Sequence, residues 1–357
     1  MKQYFLTGTY TEPILFGTGE IFQGKGMGIY LCCLENEIIQ ILQYIECRNP
    51  SFLCIDEQKE KIYAVNEMKE YQGQFGGGLT QISYSNNRFS LEHDMGTAAT
   101  DPCHVELSPN GQFLSVANFA SGAVSIFPLD SEGNIIGRQV FQHHGSSIHP
   151  IRQKGPHAHA SIFLESEQLL YVPDLGIDTV KAYHYDGCFV TPVPEYDFTL
   201  PAGSGPRSGV FSHDQKFFYL IHEISSQVSV FSCEHGKMTF LDCVETLPEG
   251  TDKSSNICSD LHITPDQKYL YASNRGHDSL CCYRIETDGR LSFLHRTPCH
   301  GKTPRNFAID PSGKYLLAGN QDSDTITLFA IESDGQLSYL STANIPSPVC
   351  IRFFHTT

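Results

Sequence analysis

Arg207, Glu223, Arg275 and Arg305, with Arg152 and the paired His157 and His159 of a Gly-Pro-His-Ala-His segment, are side chains suited to chemistry on an anionic substrate. Arginine grips phosphate or carboxylate bidentately, each charge-assisted bond contributing about 1.5–3 kcal/mol. Imidazole and carboxylate add the capacity to move protons. These residues are scattered along the chain, so a fold must gather them.

One recurring phrase identifies that fold: an alternating apolar run, a turn such as Pro-Asn-Gly or Pro-Ser-Gly, a second apolar run, and a small polar residue. Its copies begin at Pro50, Pro102, Ala158, Pro206, Cys258 and Pro304, spaced 46 to 56 residues apart. Each continues into a third β-branched or aromatic run, as in DTITLFAI from Asp324, and often a fourth after Asp-Gly, as in SDGQLSYLS from Ser333. Four short strands per repeat predict a propeller blade. A seventh copy is split between the chain ends: PVCIRFF from Pro348 supplies the first run and QYFLTGTY from Gln3 the second, with Gly8 matching Gly319. The expectation is an all-β, seven-bladed β-propeller of four-stranded antiparallel blades, closed by N- and C-terminal strands in one blade. Residues 1–357 form a single propeller domain in this reading, and 1–49 with 346–357 form the shared closing blade.

In an antiparallel meander the start of the innermost strand and the end of the next lie on the same face of the disc. Two columns of the repeat therefore ring one mouth of the central channel. The first reads Ser51, Cys103, His159, Arg207, Ser259, Arg305 and Val349; the second reads Tyr10, Glu67, Phe119, Leu175, Glu223, Arg275 and Gln321. Core columns hold only apolar residues, such as Leu53, Val105 and Phe307, whereas these two vary and carry charge. The neighbouring column of Asn66, Asn118, Asp174, His222, Asn274 and Asn320 reads as turn-stabilising.

Composition limits the partners. Forty acidic against 24 basic residues give 24 − 40 = −16 over 357 residues, which disfavours a nucleic-acid backbone or an anionic membrane as partner. Screening confines exposed charges to about 8 Å, so arginines at one mouth still dominate their surroundings. Hydrophobic residues at 40% and charged residues at 18% exclude disorder. The absence of Trp argues against WD40 and kelch propellers. The N-terminus lacks an apolar leader pattern, and thirteen cysteines without C-x-x-C spacing read as reduced thiols, which points to the cytoplasm.

Two motifs suggest other chemistry. GEIFQGK, Gly19–Lys25, has P-loop spacing but continues into Gly26 and a strand-like run, so it reads as a loop over the mouth, as does the glycine-rich segment from Gln72. His157 and His159 have the alternate spacing of a zinc pair, with His143, His144 and His149 upstream, yet no third ligand is evident. No metal and no cofactor are expected.

GPHAH at Gly155–His159, YVPDLG at Tyr171–Gly176, GSGPR at Gly203–Arg207, SNRGHDS at Ser273–Ser279 and the run from Pro304 to Asp324 resemble the seven-bladed propeller lactonases. The similarity spans essentially the whole chain. It implies hydrolysis of 6-phosphoglucono-1,5-lactone to 6-phosphogluconate, a pentose phosphate pathway step, by a cytoplasmic monomer or weak homo-oligomer. The alternatives are a carboxymuconate-type lactonising cyclase and a non-catalytic binding propeller. The resemblance further implies a catalytic set of His159, Arg207, Glu223 and Arg275, and His157, Arg152, Arg305, Gln321 and Glu67 are the expected substrate contacts. The substrate is a small anionic sugar lactone or carboxylated compound, with His159 or Glu223 as base. Two positions depart from the family pattern, Ser208 in place of His and Asp260 in place of Glu, and both bear on substrate preference.

Overall fold

The apolar runs of each repeat become strands because β-branched and aromatic side chains fit a pleated surface, and the turn residues between them end each strand. In the computed structural model, which describes residues 2–85 and 88–354, they form seven antiparallel sheets with a four-stranded path around an axis. Met1 and residues 355–357, which the sequence reading gave to the closing blade, lie outside the described residues. The closing sheet runs in the order Pro348–Phe354, Gln3–Thr9, Gly28–Glu35 and Ile38–Glu46, so strands from both ends of the chain pair directly. The all-β, terminally closed propeller expected from the repeats is observed.

Burial grades outward from the axis. The second strand of the third sheet, Phe113–Asn118, is buried at every residue, whereas the outer strand Ile38–Glu46 is largely exposed. Inner strands are covered on both faces because adjacent blades pack face to face, and the core is the set of layers between blades. A repeated tyrosine ties those layers together. Tyr63, Tyr219 and Tyr271, buried in second strands, donate their hydroxyls to the turn carbonyls of Gly133, Gly289 and Gly335 in the following blade at 2.6, 3.0 and 2.7 Å. Tyr171 makes the equivalent bond to Gly236.

A second repeated feature positions the site. Innermost strands carry one extra residue near their start, opposite the second strand: Ser51, Cys103, Arg207 and Arg305 each fall in such a bulge, and Val349 does so in the closing blade. Ser259 lies in the same kind of irregularity between Cys258 and Leu261. In the fourth blade Ala158 bridges Asp174 and pairing resumes at Ile162 opposite Tyr171, which again leaves one residue over in the stretch containing His159. A bulge breaks the alternation of faces and re-aims a side chain, so the first column can face the axis while the rest of each strand serves the core.

Gly8 and Gly319, the matched glycines of the second-strand motif, differ in their surroundings. A Cβ at Gly8 would lie 2.1 Å from the Pro50 carbonyl oxygen, whereas at Gly319 the nearest atom is 3.2 Å away. Gly8→Ala should therefore cost about 1–3 kcal/mol or more as overpacking, and Gly319→Ala clearly less. Equal losses in denaturant unfolding would show that the close approach at Pro50 does not constrain the closing blade.

Candidate active site

At one end of the axis lies a cavity of about 310 Å³, within the usual range of small-molecule sites. All nine residues expected from the sequence line it: His159, Arg207, Glu223, Arg275, His157, Arg152, Arg305, Gln321 and Glu67. Backbone bonds lock the two columns together. Glu67, Glu223 and Gln321 donate their N–H groups to the carbonyls of Asn49, Gly205 and Thr303, each the residue just before an innermost strand, at 3.0, 2.7 and 3.0 Å. Those three carbonyl residues have positive φ, including the β-branched Thr303 at 60°. Asp278 steadies Thr303 by accepting its N–H at 2.8 Å, so the strained turn is held from the preceding blade.

Arg152 arrives from a loop instead of a strand. His149 Nδ1 accepts the N–H groups of Ile151 and Arg152 at 3.3 and 3.1 Å, and buried Gln153 anchors the loop by donating to the Leu175 carbonyl at 2.8 Å.

The centre of the cavity is the carboxylate of Glu223. Arg152 Nη2 donates to its Oε1, and Arg207 Nη1 and Arg275 Nη2 donate to its Oε2, the last at 2.9 Å. Burial would raise the pKa of this carboxyl, but the three guanidinium groups outweigh it and hold the group well below the usual carboxylate range. His159 Nε2 faces Arg207 Nη1, so it accepts and the ring proton sits on Nδ1, 3.6 Å from Cys103 Sγ. Burial, reinforced by Arg207, keeps this imidazole well below its ordinary value and hence neutral. Burial and Arg207 also push Arg275 down to about 9, which leaves it charged at neutral pH.

A second cluster faces the first. Arg305 lies over the rings of Tyr10 and Phe16, 5.1 and 5.5 Å from their centroids, and 3.7 Å from Glu67 Oε2. Tyr10 donates its hydroxyl to the same carboxylate oxygen at 2.8 Å, and Arg305 is 3.5 Å from Gln321 Oε1. His157 stacks on Phe119 at 4.5 Å and meets its backbone oxygen at 2.8 Å, while His159 meets the edge of the same ring. The two histidines therefore occupy separate settings. His143 is tied to Asp174 and Tyr183, and among the described residues no group of three potential ligands is arranged for a metal.

Some assignments change. Of the Gly19–Lys25 segment only Glu20 lines the cavity, alongside Gly17 and Thr18 just before it, and the segment from Gln72 does not. It forms a small hairpin, Glu70–Tyr71 with Gln74–Phe75, and Gly76 and Gly77 pack against Ala99 and Pro102, where a side chain would clash. Ser208 and Asp260 are absent from the mouth cavity and line the channel beneath it. Phe16, Asp101 and Thr303 also line the mouth without having been expected as site residues. The position just before each repeat start was the available signal for Asp101 and Thr303; Phe16 had none.

The arrangement can bind an anion, stabilise a developing oxyanion and accept a proton. The family model for the seven-bladed β-propeller lactonases matches residues 4–353. The chain belongs to the lactonase family. It is 28% identical to the 6-phosphogluconolactonase of Bacillus subtilis over 98% of this chain and 97% of that one. With the 6-phosphogluconolactonase of Formosa agariphila it shares 34% identity over 80% and 83% of the two chains. The structure of a periplasmic gluconolactonase from Pseudomonas aeruginosa superposes with a TM-score of 0.89 at 30% identity, covering 100% of both chains. This lactonase is thus an enzyme that hydrolyses carboxylic esters in rings, and the reading as a non-catalytic binding propeller is set aside. Among its described residues no helix is long and apolar enough to cross a membrane.

Glu223→Gln should destabilise the lactonase by about 3–5 kcal/mol at neutral pH, because three buried cations lose their shared carboxylate. The carboxylate's contribution is complete above its unfolded value of about 4.5 and is lost as pH falls through the lower folded value. The stability gap between the two proteins should be flat above that pH and shrink below it. A gap that widens on acidification would refute the assigned charge.

Proposed function

We propose that this lactonase hydrolyses 6-phosphoglucono-1,5-lactone to 6-phosphogluconate, a step of the pentose phosphate pathway, in the cytoplasm. The observation that carries the reading is the cluster of four guanidinium groups around Glu223 and Glu67. Arg152, Arg207, Arg275 and Arg305 face Glu67 and Glu223, an inner set of 4 − 2 = +2, while Lys69, Glu20, Asp101 and Asp322 also line the cavity and bring its whole lining to 5 − 5 = 0. Such a site attracts a small anionic sugar lactone, neither a nucleic acid nor a membrane surface. The names of the Bacillus and Formosa relatives support the phosphorylated substrate, and thirteen unpaired cysteines suit a reducing compartment. Residues 1–357 act as one catalytic unit, as a monomer or weak homo-oligomer.

In this reading Arg207 and Arg275 stabilise the carbonyl oxygen as it becomes anionic. As Arg207 turns to that oxygen, Nε2 of neutral His159 is freed to take a proton from the attacking water, which it returns to the leaving ring oxygen. Glu223 is too acidic to be an efficient base near neutral pH and serves to hold the arginines in position. Arg305, backed by Tyr10 and Phe16, takes the phosphate, while His157, Gln321 and Glu67 address the sugar hydroxyls.

Arg207→Ala should retain the fold and lose about 2.7–4 kcal/mol of transition-state stabilisation, roughly 10²–10³-fold in kcat/KM. Unchanged kcat/KM removes Arg207 from the mechanism. Arg305→Ala should abolish a preference of about tenfold to hundredfold for the phosphorylated over the unphosphorylated lactone. Should both lactones lose activity in equal proportion, Arg305 is not the phosphate contact.

A further inference from the structure

The mouth cavity is not the end of the channel. Beneath it lies a neck of about 30 Å³ whose lining includes His159 and Arg207 from the site above, and His104, Ser208 and Asp260 below. That volume holds one or two water molecules. The lower neck residues also line a cavity of about 350 Å³, where Glu106, His262 and Arg352 join them. Innermost strands run from the mouth at Pro102, Pro206 and Ile257 toward Leu107, Phe211 and Ile263, so this second cavity lies at the opposite face of the disc.

Its chemistry is unlike that of the mouth. Arg352 shares the lining with two carboxyl groups that interact with it electrostatically, Glu106 and Asp260. His262, partly exposed, holds its Nε2 3.0 Å from Asp260 Oδ2. Asp260 is fixed in turn by the side chain of Asn306 at 2.5 Å and the N–H of Leu261 at 3.0 Å. Burial pushes the Glu106 carboxyl up to about 6, so it can exchange a proton near neutral pH.

Lactone hydrolysis releases a proton. Water oxygen bonds to the carbonyl carbon, the ring C–O bond breaks, the ring oxygen keeps one water proton as a hydroxyl, and the new carboxyl ionises to release the other. The four arginines crowded around the reacting end of the mouth oppose the passage of a positive charge past them, and bound substrate obstructs that side.

We propose that the axial channel is the proton exit of the reaction: His159, having given the first water proton to the ring oxygen, takes the second from the new carboxyl and passes it through the neck, past Ser208, to the Asp260–His262 pair at the opposite face. Ser208 supplies a hydroxyl that can bridge waters, and Asp260 orients the terminal imidazole, so the two departures from the family pattern fall on this route. The inference rests on lactone hydrolysis and not on the phosphate.

The test is steady-state hydrolysis of glucono-1,5-lactone, with and without a 6-phosphate, in dilute and in imidazole buffer. His262→Ala should lower kcat in dilute buffer by about tenfold, below the ~10²-fold of direct acid–base catalysis. It should leave kcat/KM unchanged, and imidazole should restore kcat. Ser208→Leu, which plugs the neck, should lower kcat without imidazole rescue. A normal kcat for His262→Ala in dilute buffer, a loss that imidazole does not repair, or a normal kcat for Ser208→Leu each overturns the route. Preference between the two lactones reports separately on the phosphate reading.

Discussion

The pairing of Gln3–Thr9 with Pro348–Phe354 is the constraint on which everything at the axis depends. Seven wedge-shaped sheets converge on a common centre only if the ring is complete, and the ring is completed by hydrogen bonds between the two ends of the chain. Closure also removes the free sheet edges that an open array would expose. Cavity and neck are bounded by residues from all parts of the sequence, so neither exists as a local structure.

Within that ring the charges answer to a second requirement. Four guanidinium groups gathered in a buried space repel one another, and Glu223 and Glu67 each divide the cost. Lys69 pairs with Asp101, and the two carboxylates set directly against the four guanidinium groups leave that inner part of the site positive, which suits an anionic ligand.

The fold was legible because blades repeat, and repeated alternation leaves a period that Pro50, Pro102, Pro206 and Pro304 mark out. The gathering of His159, Arg207, Glu223 and Arg275 was legible for the same reason, since columns of a repeat are rings in space. Other features were hidden by physics that a pattern of residue types does not carry. The bulges at Arg207 and Arg305 are one extra residue in a ladder, invisible without the partner strand. The segment after Lys69 carries as many glycines as a mouth loop, but Gly76 and Gly77 answer to the closeness of Ala99 and Pro102, and Gly73 to a left-handed turn. Ser208 and Asp260 stand one residue beyond the column, and that single step sends them down the channel.

The bulge at each innermost strand also separates two kinds of selection. A side chain on a blade face is bound to its neighbours by packing, and exchanging it disturbs a layer shared with the next blade. A bulged side chain meets the axis and, at Ser51 and Ser259, the backbone carbonyl of the next innermost strand, at Pro102 and Arg305. Seven such positions, one per blade, form a dial whose settings can be turned singly while the disc stays intact. A lineage built on this frame can explore new lactones by drift at Ser51, Cys103, Ser259 or Val349, with His159, Arg207 and Arg305 kept as the working chemistry.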